Sequence, residues 1–166
     1  MVVENEQTLC EIIKDGRILL KKASRGISKG KWNGLGGKLE HIGEPPEECT
    51  EREVFEETGL RVKNLFKHGV INFHFEGKKR FDVIVHLFST KDFEGEIGVK
   101  EETDADGVKW PAEEVKWFDI EKIPFDEMWE DDSLWMGLVL KGRRFDSEFY
   151  FDESTKIYKY TINFLK

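Results

Sequence analysis

Pro45-Pro46-Glu47-Glu48-Cys49-Thr50-Glu51-Arg52-Glu53-Val54-Phe55-Glu56-Glu57-Thr58-Gly59-Leu60 is a helix that carries both of its ends in the sequence. Proline suits the first helical turn, where its missing N–H would have had no partner. Gly59 follows the last turn, the position where a left-handed residue closes helices. Between them Glu53, Glu56 and Glu57 stand at i, i+3 and i+4, so three carboxylates share one face. Val54 and Phe55 are expected to point away from that face into a core, and Arg52 lies one turn before Glu56, within reach of an ion pair. A solvated acidic helix laced with i, i+4 pairs is the plain reading. It leaves Glu53 and Glu57 stacked as like charges with no basic residue between them. Such a cluster repels itself unless protons or a cation neutralise it, and hard oxygen donors suit Mg²⁺ or Mn²⁺ carrying a phosphate ligand.

Upstream, Gly34-Leu35-Gly36-Gly37 is a glycine-rich turn that leads through Lys38-Leu39-Glu40-His41-Ile42-Gly43 to Glu44. Glu44, seven further residues and Arg52-Glu53-Val54-Phe55-Glu56-Glu57-Thr58-Gly59-Leu60 together resemble the signature box of the Nudix hydrolases. Every fixed position from Glu44 to Leu60 matches. The Gly37-to-Glu44 spacing is one residue longer than the family pattern, around His41-Ile42. The resemblance implies an α/β Nudix fold, with a mixed β-sheet sandwiched between helices. It also implies a metal site, Mg²⁺ or Mn²⁺, made by the Gly37 carbonyl with Glu53, Glu56 and Glu57. Arg52 would orient Glu56, and Glu44 would support the loop or the outer metal shell. A general base would come from the box or from a distant loop, where Glu113 and Glu114 are the candidates and Glu114 is carried forward.

The 166 residues can bury a proper core, and an apolar fraction of 39% with 13% aromatics argues for a globular chain. One domain spanning 1–166 is expected. The net charge of −8, with no basic stripe, argues against a nucleic-acid duplex as partner. A small polyanion bridged by a metal remains compatible with it. Cys10 and Cys49 have no metal-ligand spacing and form no disulfide framework. With no signal peptide and no long apolar run, a cytoplasmic protein without membrane contact, working as a monomer, is expected.

Thr8–Ile13 and Arg17–Lys22 read as a hairpin turned at Asp15-Gly16. Gly26 to Lys31 is one residue short of a phosphate loop and lacks its Ser/Thr, so it is not read as one. Val70–Phe75 and Phe81–Phe88 form a second hairpin, and Val108–Trp110 and Val115–Phe118 have strand-like content. Ser133–Lys141 reads as a helix, and Arg143–Phe151 with Ile157–Phe164 as a closing hairpin. The histidines are scattered and suggest no metal site.

A second informative stretch is Pro124-Phe125-Asp126-Glu127-Met128-Trp129-Glu130-Asp131-Asp132-Ser133-Leu134-Trp135. Asp131, Asp132 or Ser133 would make a good N-cap, and the tryptophans could be core. Equally, an indole face stacks on a nucleobase, and carboxylates accept hydrogen bonds from a purine edge. Two confined aspartates also force one pKa upwards, so that one could donate. The residues alone leave these readings even.

The Trp-x-Asp-Asp-Ser-x-Trp element, together with Trp32-Asn33-Gly34-Leu35-Gly36-Gly37-Lys38 and the tail, is similar to the MutT-homologue branch of the Nudix hydrolases. That branch hydrolyses oxidised purine nucleoside triphosphates such as 8-oxo-dGTP to monophosphate and pyrophosphate. The resemblance implies base recognition by Asn33, Asp131 and Asp132, stacking on Trp129, and a pocket lined by Phe73 and Trp135. Ile27 stands where the branch usually places an aromatic, and Ala23 where it places a lysine. Competing readings are a Nudix enzyme for ADP-ribose, a dinucleoside polyphosphate or an mRNA cap, and a nucleotide-sensing Nudix module.

Overall fold

The computed structural model describes residues 5–40, 42–98, 101–110 and 112–166. Its strands are β1 (Glu6–Lys14), β2 (Arg17–Lys22), β3 (Trp32–Asn33), β4 (Arg61–Lys63), β5 (Phe66–Phe75) and β6 (Val83–Thr90). They continue with β7 (Asp92–Glu94), β8 (Glu102–Thr103), β9 (Lys109–Trp110), β10 (Val115–Asp119), β11 (Phe145–Phe151) and β12 (Ile157–Phe164). The helices are α1 (Pro46–Thr58) and α2 (Asp132–Leu140).

Asp15 and Gly16, at φ 52° and 72°, make the tight turn whose twist matches the β1–β2 hairpin. That hairpin lies in a mixed eight-stranded sheet ordered β10-β2-β1-β6-β5-β11-β12, with β3 paired to β2. The β1–β6 and β5–β11 pairs are parallel and the others antiparallel. Alternation along β1 and β2 feeds two cores. Cys10, Ile12 and Leu19 meet Val54 of α1 on one face. On the other, Ile18 and Leu20 meet Trp135, Met136 and Val139 of α2. The sheet is therefore sandwiched between the two helices, an α/β sandwich.

Two details differ from the sequence reading. Phe55 does not enter the core: it is 37% exposed, with the Arg61 guanidinium 4.2 Å from its ring centre. Leu60 and Val62, just beyond the helix, are buried beside Val54 instead. Two small ladders, β4–β7 and β8–β9, stand apart from the main sheet, and of their strands only β9 lies in a stretch read as strand-like. The extra loop residue falls around His41, which lies outside the described residues; Ile42 beside it is almost fully exposed. Among the described residues, no helix is long and apolar enough to cross a membrane.

Candidate active site

The glycine turn is fastened to β1. Cys10 and Leu35 exchange backbone hydrogen bonds, and the Thr8 N–H donates to the Gly37 carbonyl at 2.8 Å. This brings Gly36 and Gly37 under the acidic face of α1. The Gly36 N–H donates to Glu57 Oε1 at 2.7 Å. A Cβ on Gly37 would lie 2.5 Å from the Glu53 carboxyl carbon, so any larger residue would have to displace that carboxylate. Among the described residues, besides the Thr8 N–H, the Gly37 carbonyl accepts only a long contact from the Cys49 thiol at 3.8 Å.

Arg52 organises the rest. Its guanidinium reaches Glu53 at 2.8 Å, Glu44 at 3.0 Å and Glu40 at 3.3 Å. The pairing expected with Glu56 is the longest contact, 3.7 Å, and Glu56 is half exposed. Arg52 therefore holds Glu53 and Glu44 rather than Glu56. Glu44 in turn accepts the Glu40 N–H at 2.8 Å and braces the loop. Glu53 and Glu57 also do not lack basic partners. Arg52 serves the first, and Lys21 of β2, unnoticed in the sequence, lies against Glu57 Oε2. Burial still pushes the Glu53 carboxyl above its ordinary range, against the lowering effect of Arg52.

Of the two distant glutamates, Glu113 is the one turned towards Lys21 and the acidic helix. Glu113 lies 3.8 Å from Lys21 and accepts the Ser24 N–H at 2.9 Å. Glu114 is exposed, and its backbone carbonyl accepts the Lys22 N–H. The two are neighbours at the entry to β10, where successive side chains take opposite sides.

Among the described residues no His, Cys, Asp and Glu side chains form a ready-made cation cage. The donor set nevertheless fits a hard divalent cation. Glu53, Glu56 and Glu57 offer carboxylate oxygens, Gly37 offers a carbonyl beside Glu53, and the Lys21 ammonium already marks a cation position between Glu57 and Glu113.

The six expected base-site residues, Asn33, Phe73, Trp129, Asp131, Asp132 and Trp135, all line one cavity of about 940 Å³. Asp131 occupies the N-cap position of α2, yet its side chain makes no capping hydrogen bond. Its Oδ2 accepts from the Trp135 indole N–H at 2.7 Å instead. Burial pushes Asp131 up to about 6, with Trp135 pulling the other way. Asp132 is pushed well above the carboxylate range by burial, then by Asp131 and Glu11. The structure thus removes the capping explanation for these aspartates. Trp129 stands on edge to Phe75 and Phe151, with Lys31 over its ring at 5.3 Å. Phe73 packs on Phe149 and Phe151, each at 6.0 Å between centroids.

Within the segment from Arg25 to Ser28 the sequence singled out only Ile27, as a departure from the branch's aromatic, and Gly26 to Lys31 as an incomplete phosphate loop. Arg25 and Ser28 also line the cavity, and Ser28 Oγ accepts the Trp129 indole N–H at 2.9 Å. The incomplete motif gave no signal for that contact. The acidic helix and the cavity adjoin: Lys38 lines the cavity, while its carbonyl accepts from Arg52 at 3.2 Å.

The family model for the NUDIX domain matches residues 8–136. The chain belongs to the Nudix family. Nudix hydrolases generally need a divalent metal such as Mg²⁺. Among relatives, the chain is 39% identical to an oxidized purine nucleoside triphosphate hydrolase of Danio rerio over 156 residues, covering 94% of this chain and 92% of that protein. It is 36% identical to the protein of the same name from Mus musculus over 155 residues, covering 93% and 92%. The crystal structure of a MutT protein from Bacillus halodurans superposes with a TM-score of 0.76 at 24% identity, covering 95% of this chain and 97% of that one. That likeness supports the Nudix fold alone.

Proposed function

We propose that this Nudix protein hydrolyses oxidised purine nucleoside triphosphates, such as 8-oxo-dGTP, to nucleoside monophosphate and pyrophosphate with Mg²⁺ or Mn²⁺, cleansing the nucleotide pool. The names of its vertebrate relatives support the reading. The observation that carries it is the buried pair Asp131 and Asp132, freed from capping and opening into an aromatic cavity beside the acidic helix. Oxidation at C8 turns N7 of a purine from an acceptor into a donor. One aspartate protonated and one ionised present a donor and an acceptor to such an edge, and the raised Asp132 supplies the protonated member. Trp129 offers the stacking face, and Asn33, Phe73 and Trp135 close the walls.

Glu53, Glu56, Glu57 and the Gly37 carbonyl would hold the divalent cation. That cation would supply charge neutralisation and Lewis-acid polarisation of the phosphoryl oxygens. Arg52 fixes Glu53 and, through Glu44, the loop that carries Gly37. Lys21 fixes Glu57. Glu113 is the carboxylate at hand to accept a proton from the attacking water, the role first given to Glu114. The substrate is a small nucleotide, with neither a nucleic-acid duplex nor a membrane as partner, and the protein works as a cytoplasmic monomer.

A product assay in Mg²⁺ comparing 8-oxo-dGTP, 2-hydroxy-dATP, dGTP and ADP-ribose at low concentration tests this. Preferential release of monophosphate and pyrophosphate from an oxidised purine is expected. Turnover of ADP-ribose with the oxidised purines ignored would overturn the substrate, and tight binding without any turnover would overturn the catalysis.

A further inference from the structure

The β8–β9 hairpin stands off the main sheet and ends at Trp110, which lines the same cavity as Trp129. The hairpin is built around Asp104. Its Oδ1 accepts the N–H groups of Asp106 and Val108 at 3.0 and 2.9 Å, and its Oδ2 accepts the Trp110 indole N–H at 2.9 Å. Gly107, at φ 79°, closes the turn. With its single donor taken, the indole has only its faces left to offer. The Arg25 guanidinium covers one at 5.1 Å from the ring centre.

Arg25 also fixes where in the cavity Trp110 lies. It is separated from Ser28 by two residues, and Ser28 holds the Trp129 indole N–H. Three peptide steps span at most about 10 Å. Arg25, Gly26, Ile27 and Ser28 all line the cavity, so the segment bridges from one indole to the other within its wall. Ile27, in the middle, offers an aliphatic surface and no ring.

We propose that Trp110 is a second aromatic wall of the base site, held by Asp104 and backed by Arg25, and that it contributes to binding the purine rather than to the chemical step. This rests on the purine-nucleotide reading of the cavity. An indole held by its edge and backed by a guanidinium loses little freedom when a base packs against it, so its contact appears in affinity.

The test is steady-state kinetics of wild type, Trp110→Ala and Trp110→Phe with 8-oxo-dGTP, alongside binding of the product monophosphate and thermal melting. Trp110→Ala is expected to raise KM and the product's Kd by about tenfold, with kcat within about twofold of wild type. Trp110→Phe, which keeps a ring and gives up only the bond to Asp104, should recover most of the loss. If Trp110→Ala melts early, Trp110→Leu keeps bulk without a ring and carries the same expectation. Unchanged KM and Kd in a folded Ala or Leu variant would overturn the proposal, as would a fall confined to kcat. Wild-type protein that ignores oxidised purines would instead overturn the reading of the site, a separate result.

Discussion

On β1, Glu11 alternates onto the α2 side of the sheet between Leu9 and Ile13, fully buried, and neither carboxyl oxygen has a hydrogen-bond partner in the protein. Its carboxyl occupies the space that a Cβ on Gly34 would need, 2.4 Å away. Burial pushes Glu11 up to about 8 from an ordinary 4.5. The folded protein therefore binds a proton that the unfolded chain has released across that window. The resulting stability is complete below about pH 4.5 and is lost as pH rises through about 8. Denaturant unfolding of wild type and Glu11→Gln between these limits should show wild type losing stability relative to the variant by roughly 1 kcal/mol per pH unit. Parallel curves would show that Glu11 is ionised or solvated in the folded protein.

At the scale of the element, α1 combines a closed end with an acidic face. Gly59 has φ 81° and its N–H donates to the Phe55 carbonyl at 2.8 Å, while a Cβ there would meet the Glu96 carbonyl at 3.1 Å. Gly59→Ala should therefore cost about 1–2 kcal/mol in chemical denaturation. Because Glu57 is gripped from outside the helix by Lys21 and the Gly36 N–H, and Glu53 by its neighbour Arg52 well before the helix end, kcat at saturating substrate should stay near wild type. A neutral substitution would mean that the chain after α1 relaxes freely. The helix itself was legible because its stop signals and its 3.6-residue spacing are local. What grips it was not. Lys21 reaches Glu57 from β2, and Arg52 chooses Glu44 and Glu53 over Glu56 because the loop folds back onto α1. The Lys21 contact joins residues far apart in the chain, and helix spacing alone points Arg52 at Glu56, one turn on, rather than back at the loop. Which of Glu113 and Glu114 faces Lys21 depends on the register of β10, with Val115 opposite Lys21, and the sequence does not carry that register.

At the scale of the molecule, local signals again explain what could be read ahead. The hairpins at Asp15-Gly16 and around Gly77 were visible because they close within a few residues. The parallel pairings of β1 with β6 and of β5 with β11 join segments far apart in the chain, and periodicity says nothing about them. Those pairings set the two halves of the site side by side. β1 holds the glycine turn under α1, and its Leu9 lines the cavity together with Asp131 and Asp132 of the α2 entry. The paired aspartates could be read in the sequence as caps or as a base site, and the position of the Trp135 N–H decides against the cap. The central claim is that one cavity reads an oxidised purine while the adjoining acidic helix cleaves its triphosphate. The most direct test is kcat/KM of wild type and Asp132→Ala for 8-oxo-dGTP and ADP-ribose in Mg²⁺. Wild type is expected to prefer 8-oxo-dGTP, and Asp132→Ala to lose at least about tenfold on it, the scale of an unpaired polar contact. Equal rates for the variant and wild type on 8-oxo-dGTP, or efficient ADP-ribose turnover indifferent to Asp132, would contradict it.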